Sequence, residues 1–293
     1  MPRDHPMLPI LATFAGVAML SLMDAFMKDA SLAAGAYSAA LLRAALSFAL
    51  IAPVWLALGG RWPGRAALRL HLMRGTVSAF MGLTFFYALT KLPIAETIAI
   101  SFIAPLIALY LAAILLGERI RREAILAAVL GLAGTLVIIG GRLGRERMTE
   151  DAMMGLAAIL FSAMLYAYNF ILMRQQSQLA RPAEVATFHG GVSATVLSLA
   201  APWLLEWPAA GALADIGVSA VLTVGGAMTL AWAYARAEAQ ALVPIEYSGF
   251  LWAALFGWLF FDEKVTATTV AGTALIVLGC WLAARRRPLP DAV

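Results

Sequence analysis

Apolar residues in this chain come in long unbroken runs, at roughly 8–27, 36–58, 72–90, 94–116, 124–141, 153–173, 184–205, 214–235, 240–261 and 267–284. A helix needs about 20 apolar residues to cross the roughly 30 Å of hydrocarbon in a bilayer. A membrane strand needs only about ten and alternates apolar with polar positions; none of these runs does so. Turn chemistry separates them: Gly59-Gly60, Pro63-Gly64, Leu92-Pro93, Gly140-Gly141, Arg181-Pro182 and Trp207-Pro208. The pattern predicts an all-α polytopic membrane protein with ten transmembrane helices.

Composition agrees with that pattern. Of 293 residues, 62% are hydrophobic and 13% are charged, and mean hydropathy is +0.86. A soluble domain averages about 25% charged residues, so lipid is the solvent for most of this chain. Ten spans and their connections leave no room for a separate soluble catalytic domain. The first apolar run lacks a secretory cleavage site and reads as a first helix. A single cysteine, Cys280, excludes disulfides within the chain and cysteine-based metal clusters.

The basic pI of about 9.5 does not indicate nucleic acid, because the basic residues are scattered over short loops rather than gathered on one face. They make sense as topology signals. With the N-terminus inside, inner segments hold Arg3, Arg61, Arg65, Arg69, Arg74, Arg119, Arg121, Arg122, Arg174, Arg181, Arg236 and Arg285, Arg286, Arg287. Outer segments hold only Lys28, Lys91, Arg142, Arg145, Arg147 and Lys264. The positive-inside rule therefore predicts that both termini are cytoplasmic, and the expected location is a bacterial inner membrane.

The stretch from Phe86 to Glu118 can be laid on the stretch from Ala231 to Glu263. Placing Glu118 on Glu263 sets a shift of 145, which puts Tyr87 on Trp232, Ala88 on Ala233 and Gly134 on Gly279. In earlier spans a shift of 146 puts Lys28 on Arg174 and Arg43 on His189. Repeats of five spans each, 1–147 and 148–293, must be inverted relative to one another because five is odd. Inverted repeats are a common build of secondary transporters, with the substrate site near the midplane between them.

Ten spans, two repeats, and spans four and nine ending in Gly117-Glu118-Arg119 and Asp262-Glu263-Lys264 resemble the drug/metabolite transporter superfamily, EamA branch, over about residues 8–285. Pro105 matches the family's span-four proline. The second repeat departs from it: Phe250 takes the corresponding position, proline stands at Pro244, and Asp262 replaces a glycine before Glu263. The resemblance implies export of small organic metabolites, amino acids with aromatic side chains among them, by alternating access and without a cofactor.

No phosphate-binding loop, H-E-x-x-H or G-x-S-x-G occurs, and His5, His71 and His189 lack metal-ligand spacing. Neither catalytic nor metal-ligating residues are expected. A membrane-embedded enzyme and a non-transporting receptor or assembly subunit are the competing readings.

Ionisable groups inside a membrane cost about 2.5–3.5 kcal/mol at mid-span, so each calls for a partner or a cavity. Asp24 and Lys28 can pair four residues apart on one helix face. Arg43 is long enough to snorkel to the outer surface. Glu96 suits a helix N-terminus after Pro93, and His189 reads equally well as a packing residue. Glu246 follows Pro244 with Tyr247 and Ser248, and is expected to face the pathway and to bind a substrate ammonium, carry a proton, or pair with Arg43 or His189. Rings and polar groups suited to a flat amphipathic substrate add Tyr87, Ser101, Tyr166, Asn169, Trp232 and Tyr247. Interface belts and packing use the same residue types. Pro105 and Pro244 are the candidate hinges. The expected partners are a small-molecule substrate, the bilayer and, as a candidate coupling ion, the proton.

Overall fold

The computed structural model describes residues 7–116, 122–143, 149–176, 179–237, 242 and 245–284. These residues are helical, with no strand among them. In chain order the helices are α1 Met7–Ala34, α2 Ala36–Ala57, α3 Arg65–Lys91, α4 Ile94–Ser101, α5 Ala104–Leu116, α6 Arg122–Leu143, α7 Glu150–Gln176, α8 Pro182–Ser198, α9 Ala201–Leu204, α10 Ala210–Tyr234, α11 Gly249–Phe261 and α12 Ala267–Ala284. α1, α2, α3, α7 and α10 are each long and apolar enough to cross a membrane.

Local chemistry sets the joints. Gly35 alone separates α1 from α2, and its φ of 79° is open to glycine at little cost. Pro182 opens α8 at the first turn, where its missing N–H is harmless. Within the run 94–116 the helix breaks at Phe102-Ile103, where a short-range bond from Ile103 N–H to the Ile100 carbonyl (3.1 Å) tightens the turn. The bend expected at Pro105 thus falls just upstream of it. Pro105 is the second residue of α5, so it starts a new helical segment rather than kinking a continuous one. Pro244 lies outside the described residues.

The bundle is packed from small residues and surfaced with large apolar ones. Ala25, Ala30, Ala39, Ala88, Ala99 and Ala163 are all but fully buried, while Leu11, Leu132, Leu136, Leu251 and Trp258 stand exposed. Lipid tails are as apolar as leucine, so helices associate through close contact rather than water exclusion. α6 and α12 cross so closely that a Cβ on Gly134 would lie 2.4 Å from the Gly272 carbonyl oxygen. α1 and α10 approach in the same manner at Gly16 and Gly226. Across the bundle α1 packs on α10, α3 on α7, α2 on α8, α4 on α11 and α6 on α12.

Candidate functional site

A cavity of about 1280 Å³ opens between α2, α3, α8 and α10. It extends from Arg43 and Thr223, well inside α2 and α10, to the α2–α3 connection at Gly59, Gly60 and Arg61 and the start of α8 at Arg181 and Pro182. Val54, Trp55, Met173, Val224 and Met228 supply an apolar wall. Trp55 is held by Phe188, edge to face at 5.6 Å.

Arg43 does not snorkel outward. Its Nη1 donates to Thr223 Oγ1 (3.3 Å), its guanidinium lies 4.9 Å from the Phe86 ring, and the charge of Asp24 reaches it. Inward neighbours offer this cation a hydrogen bond, a π face and an anion, which the lipid side cannot.

Arg74, assigned above to an inner segment as a topology signal, is a wall residue of the cavity. It begins a chain of hydrogen bonds whose donors run one way. Arg74 Nη1 donates to Gln176 Oε1 (2.5 Å), and Gln176 Nε2 meets His71 Nδ1 (2.5 Å). His71 Nε2 then reaches Glu184 Oε1 (2.9 Å). With the amide oxygen held by Arg74, its nitrogen must donate, so His71 accepts at Nδ1 and gives its Nε2 proton to Glu184. Phe188 stacks on the imidazole at 4.6 Å. Arg74 Nε also donates to Asn169 Oδ1 (3.1 Å), which Ser78 Oγ shares (3.3 Å). The chain ties α3 to α7 and α8. His71, Arg74, Asn169 and Gln176 fall on facing stripes at helical spacing (71 and 74, 169 and 176), which is the signal that could have marked them in the sequence.

The opposite ends of these helices carry a buried ion pair. Lys28 near the end of α1 pairs with Glu263 beyond α11 and donates to the Leu92 carbonyl (2.8 Å) between α3 and α4. Its ammonium lies 5.1 Å from the Phe261 ring. The other oxygen of Glu263 accepts the Ile94 N–H (2.8 Å), so a carboxylate from the far half of the chain caps α4. Lys28 thus has an ion-pair partner in Glu263, and Glu263 joins Glu96, buried in the first turn of α4 as expected, at that helix N-terminus. Asp262, at a left-handed φ of 52°, turns the chain so that Glu263 points back. The partner residue in the repeat alignment, Glu118, lies outside the described residues.

None of the seven residues expected to bind substrate lines the cavity among the described residues. Asn169 stands one hydrogen bond behind it, through Arg74. Trp232 follows the lining residue Ala231 and carries the Arg236 guanidinium 4.2 Å from its ring. Glu246 accepts from the Tyr234 hydroxyl, so its hydrogen bond goes to neither Arg43 nor His189. Tyr166 stacks on Phe170 at 4.6 Å and is reached by the charges of Glu246, Asp24 and Arg74. Tyr87 meets Met154 Sδ (3.8 Å) near the Lys91–Asp151 pair, next in sequence to the Leu92 carbonyl that Lys28 bonds. Ser101 bonds its own helix at the Ile98 carbonyl (2.8 Å), and Tyr247 packs edge-on against Phe102 at 5.3 Å.

The description of one family, the EamA-like transporter family, matches this chain twice, over residues 7–140 and 153–285. The chain belongs to that family. Membership makes it a multi-pass membrane protein of a transporter family and not an enzyme by kinship. EamA-like relatives include a pseudopaline exporter of Pseudomonas aeruginosa, 28% identical over 95% of both chains. A riboflavin transporter of Brucella anthropi is 27% identical over 73% of this chain and 77% of its own. An aromatic amino acid exporter of Ancylobacter novellus is 31% identical over 37% of this chain and 38% of its own. A solved crystal structure shares the fold, with a TM-score of 0.64 at 22% identity, covering 94% of this chain and 96% of that one.

Proposed function

We propose that this EamA-like chain is a secondary carrier of small organic metabolites in a bacterial inner membrane, working by alternating access. The observation that carries this reading is the contrast within one bundle: a deep cavity reaching one set of connections, and a desolvated ion pair closing the other end. A receptor or scaffold has no need of that contrast. Relatives named as exporters or transporters of pseudopaline, riboflavin and aromatic amino acids support the same substrate class.

In this reading the chain crosses ten times, as two inverted five-helix repeats, 1–147 and 148–293. The helix pairs support it. An inverted repeat exchanges span one with six and three with eight, so the α1–α10 contact requires an α3–α7 contact in return, and both are present. Their details correspond: Gly16 meets Gly226, while Ser162 and Met81, the positions equated with them by the 146 and 145 shifts, meet through a 2.9 Å hydrogen bond. Both termini are cytoplasmic, so the cavity faces the cytoplasm and the Lys28–Glu263 pair closes the outer end. Asn169, Tyr166 and Glu246 with Tyr234 form the layer that a substrate meets as the cavity rearranges. Tyr87, Ser101, Trp232 and Tyr247 belong to the pathway's later states, with Pro105 and Pro244 at the hinges.

Purified protein in liposomes tests the proposal. Time-dependent flux of a labelled metabolite, aromatic amino acids first in the panel, is expected without chemical change to the solute. Conversion of the solute, or saturable binding without flux, would favour an enzyme or a receptor.

A further inference from the structure

The cavity wall carries more positive charge and more hydrogen-bond donors than the protein itself satisfies. Arg74 bonds to Asn169 and Gln176, both neutral amides, so no carboxylate among the described residues neutralises it by contact. Arg43 bonds to the hydroxyl of Thr223; Asp24 acts on it electrostatically, and no hydrogen bond joins the two. Arg61 and Arg181 add exposed guanidinium groups where the cavity meets the connections. Glu184, the acidic residue among the described lining residues, is engaged by His71.

Three lining residues also hold a buried polar atom with no hydrogen-bond partner among the described residues: Arg43 Nε, Ser47 Oγ and His189 Nδ1. Arg43 and Ser47 are one helical turn apart on α2 and so share a face. His189 comes from α8, which packs against α2. Ser31, Ser248 and Trp252 hold such atoms elsewhere among the described residues, but only in this cavity do three share one wall, which marks a place built to receive a partner. A guanidinium inside a membrane protein likewise marks a pathway or a counter-ion site.

One chemistry satisfies all of these groups. An oxyanion accepts from a guanidinium in two parallel bonds, from a serine hydroxyl and from an imidazole N–H. Ammonium groups do the reverse, adding donors to a wall already rich in them and charge to a wall already positive. We infer that the transported metabolite is an organic oxyanion, its carboxylate or phosphate held by Arg43, Ser47 and His189, with Arg74 as the second positive contact. The apolar face of Trp55, Val54 and Met228 receives the rest of the molecule. The inference rests on the carrier reading and narrows its substrate class.

Proteoliposomes loaded with the small-molecule fraction of a bacterial cell extract test it, with the medium sampled by mass spectrometry against protein-free vesicles. The compounds released are expected to carry net negative charge at pH 7, their masses separating carboxylates from phosphates. Arg43→Gln should cut their release at least tenfold, and Arg43→Lys, which keeps charge and loses the planar fork, by less. Where Arg43→Gln does not fold, Ser47→Ala removes one hydroxyl and should still lower anion release severalfold. Release of neutral or cationic compounds only would overturn the inference and leave the carrier standing. So would wild-type anion release by folded Arg43→Gln or Ser47→Ala protein. No release above the protein-free control would overturn the carrier reading, and this inference with it.

Discussion

Lys28 and Arg43 are both cations set into apolar helices, and the protein treats them in opposite ways. Around Lys28 the match is close: a carboxylate, a backbone carbonyl and an aromatic face surround the ammonium, and the same carboxylate caps α4. Around Arg43 one hydroxyl and one ring make contact, Asp24 acts through its charge without a hydrogen bond, and Nε has no partner among the described residues. Closely bonded charge locks helices together, whereas a guanidinium with hydrogen-bonding capacity left over in a cavity wall can take a partner that comes and goes. On the proposed carrier reading, the difference separates a seal from a binding site.

Removing one half of the seal should have the largest effect. Glu263→Ala removes the carboxylate from a buried ion pair and from the start of α4, and loss of one member of a buried pair costs about 3–5 kcal/mol. A marked fall in thermal stability in detergent is expected, and Lys28→Met combined with Glu263→Ala should recover much of it. A double variant no better than the single would mean that the pair is not what holds this end.

On the cavity side the balance between stability and flux reverses. Arg74→Gln keeps a hydrogen-bonding group toward Asn169 and removes the charge; flux in proteoliposomes should drop about tenfold, the scale of one charge-assisted bond of about 1.5 kcal/mol or more. Thermal stability should move by much less. A variant that melts early and still transports would return Arg74 to a purely structural role.

The smallest change in stability is expected at the break between α4 and α5. Pro105 occupies the first turn of α5, where proline costs nothing, so Pro105→Ala should alter stability by less than about 1 kcal/mol. If the break is a hinge, flux slows by more than folding suffers. Equal flux with equal stability would leave the break as a fixed feature of the chain.

The helices were legible because the membrane sets both their length and their composition, so apolar runs and turn residues alone mark them. The break at Phe102-Ile103 was only half visible: Pro105 announces a discontinuity, but backbone hydrogen bonds three residues upstream decide where it falls. The site was harder to see. Arg74 looks like one more basic residue in an arginine-rich inner segment, and only the fold carries it nine residues into α3 and against Asn169 and Gln176. Lys28 shows Asp24 one turn away, whereas its partner Glu263 lies 235 residues along the chain. Aromatic residues drew attention because rings suit a flat substrate, yet burial and facing, which composition does not carry, decide which ring lines a cavity.

Accessibility of the deep cavity tests the central contrast most directly. In a Cys280→Ser background, Thr223→Cys places a thiol at the inner wall of the cavity, beside Arg43. A membrane-impermeant thiol reagent should label it in inside-out vesicles and leave it unlabelled in intact spheroplasts, and adding Glu263→Ala should allow labelling from outside. Labelling of Thr223→Cys from the outer face with the Lys28–Glu263 pair intact, or from both faces equally, would contradict a cavity that is open at one end and sealed at the other.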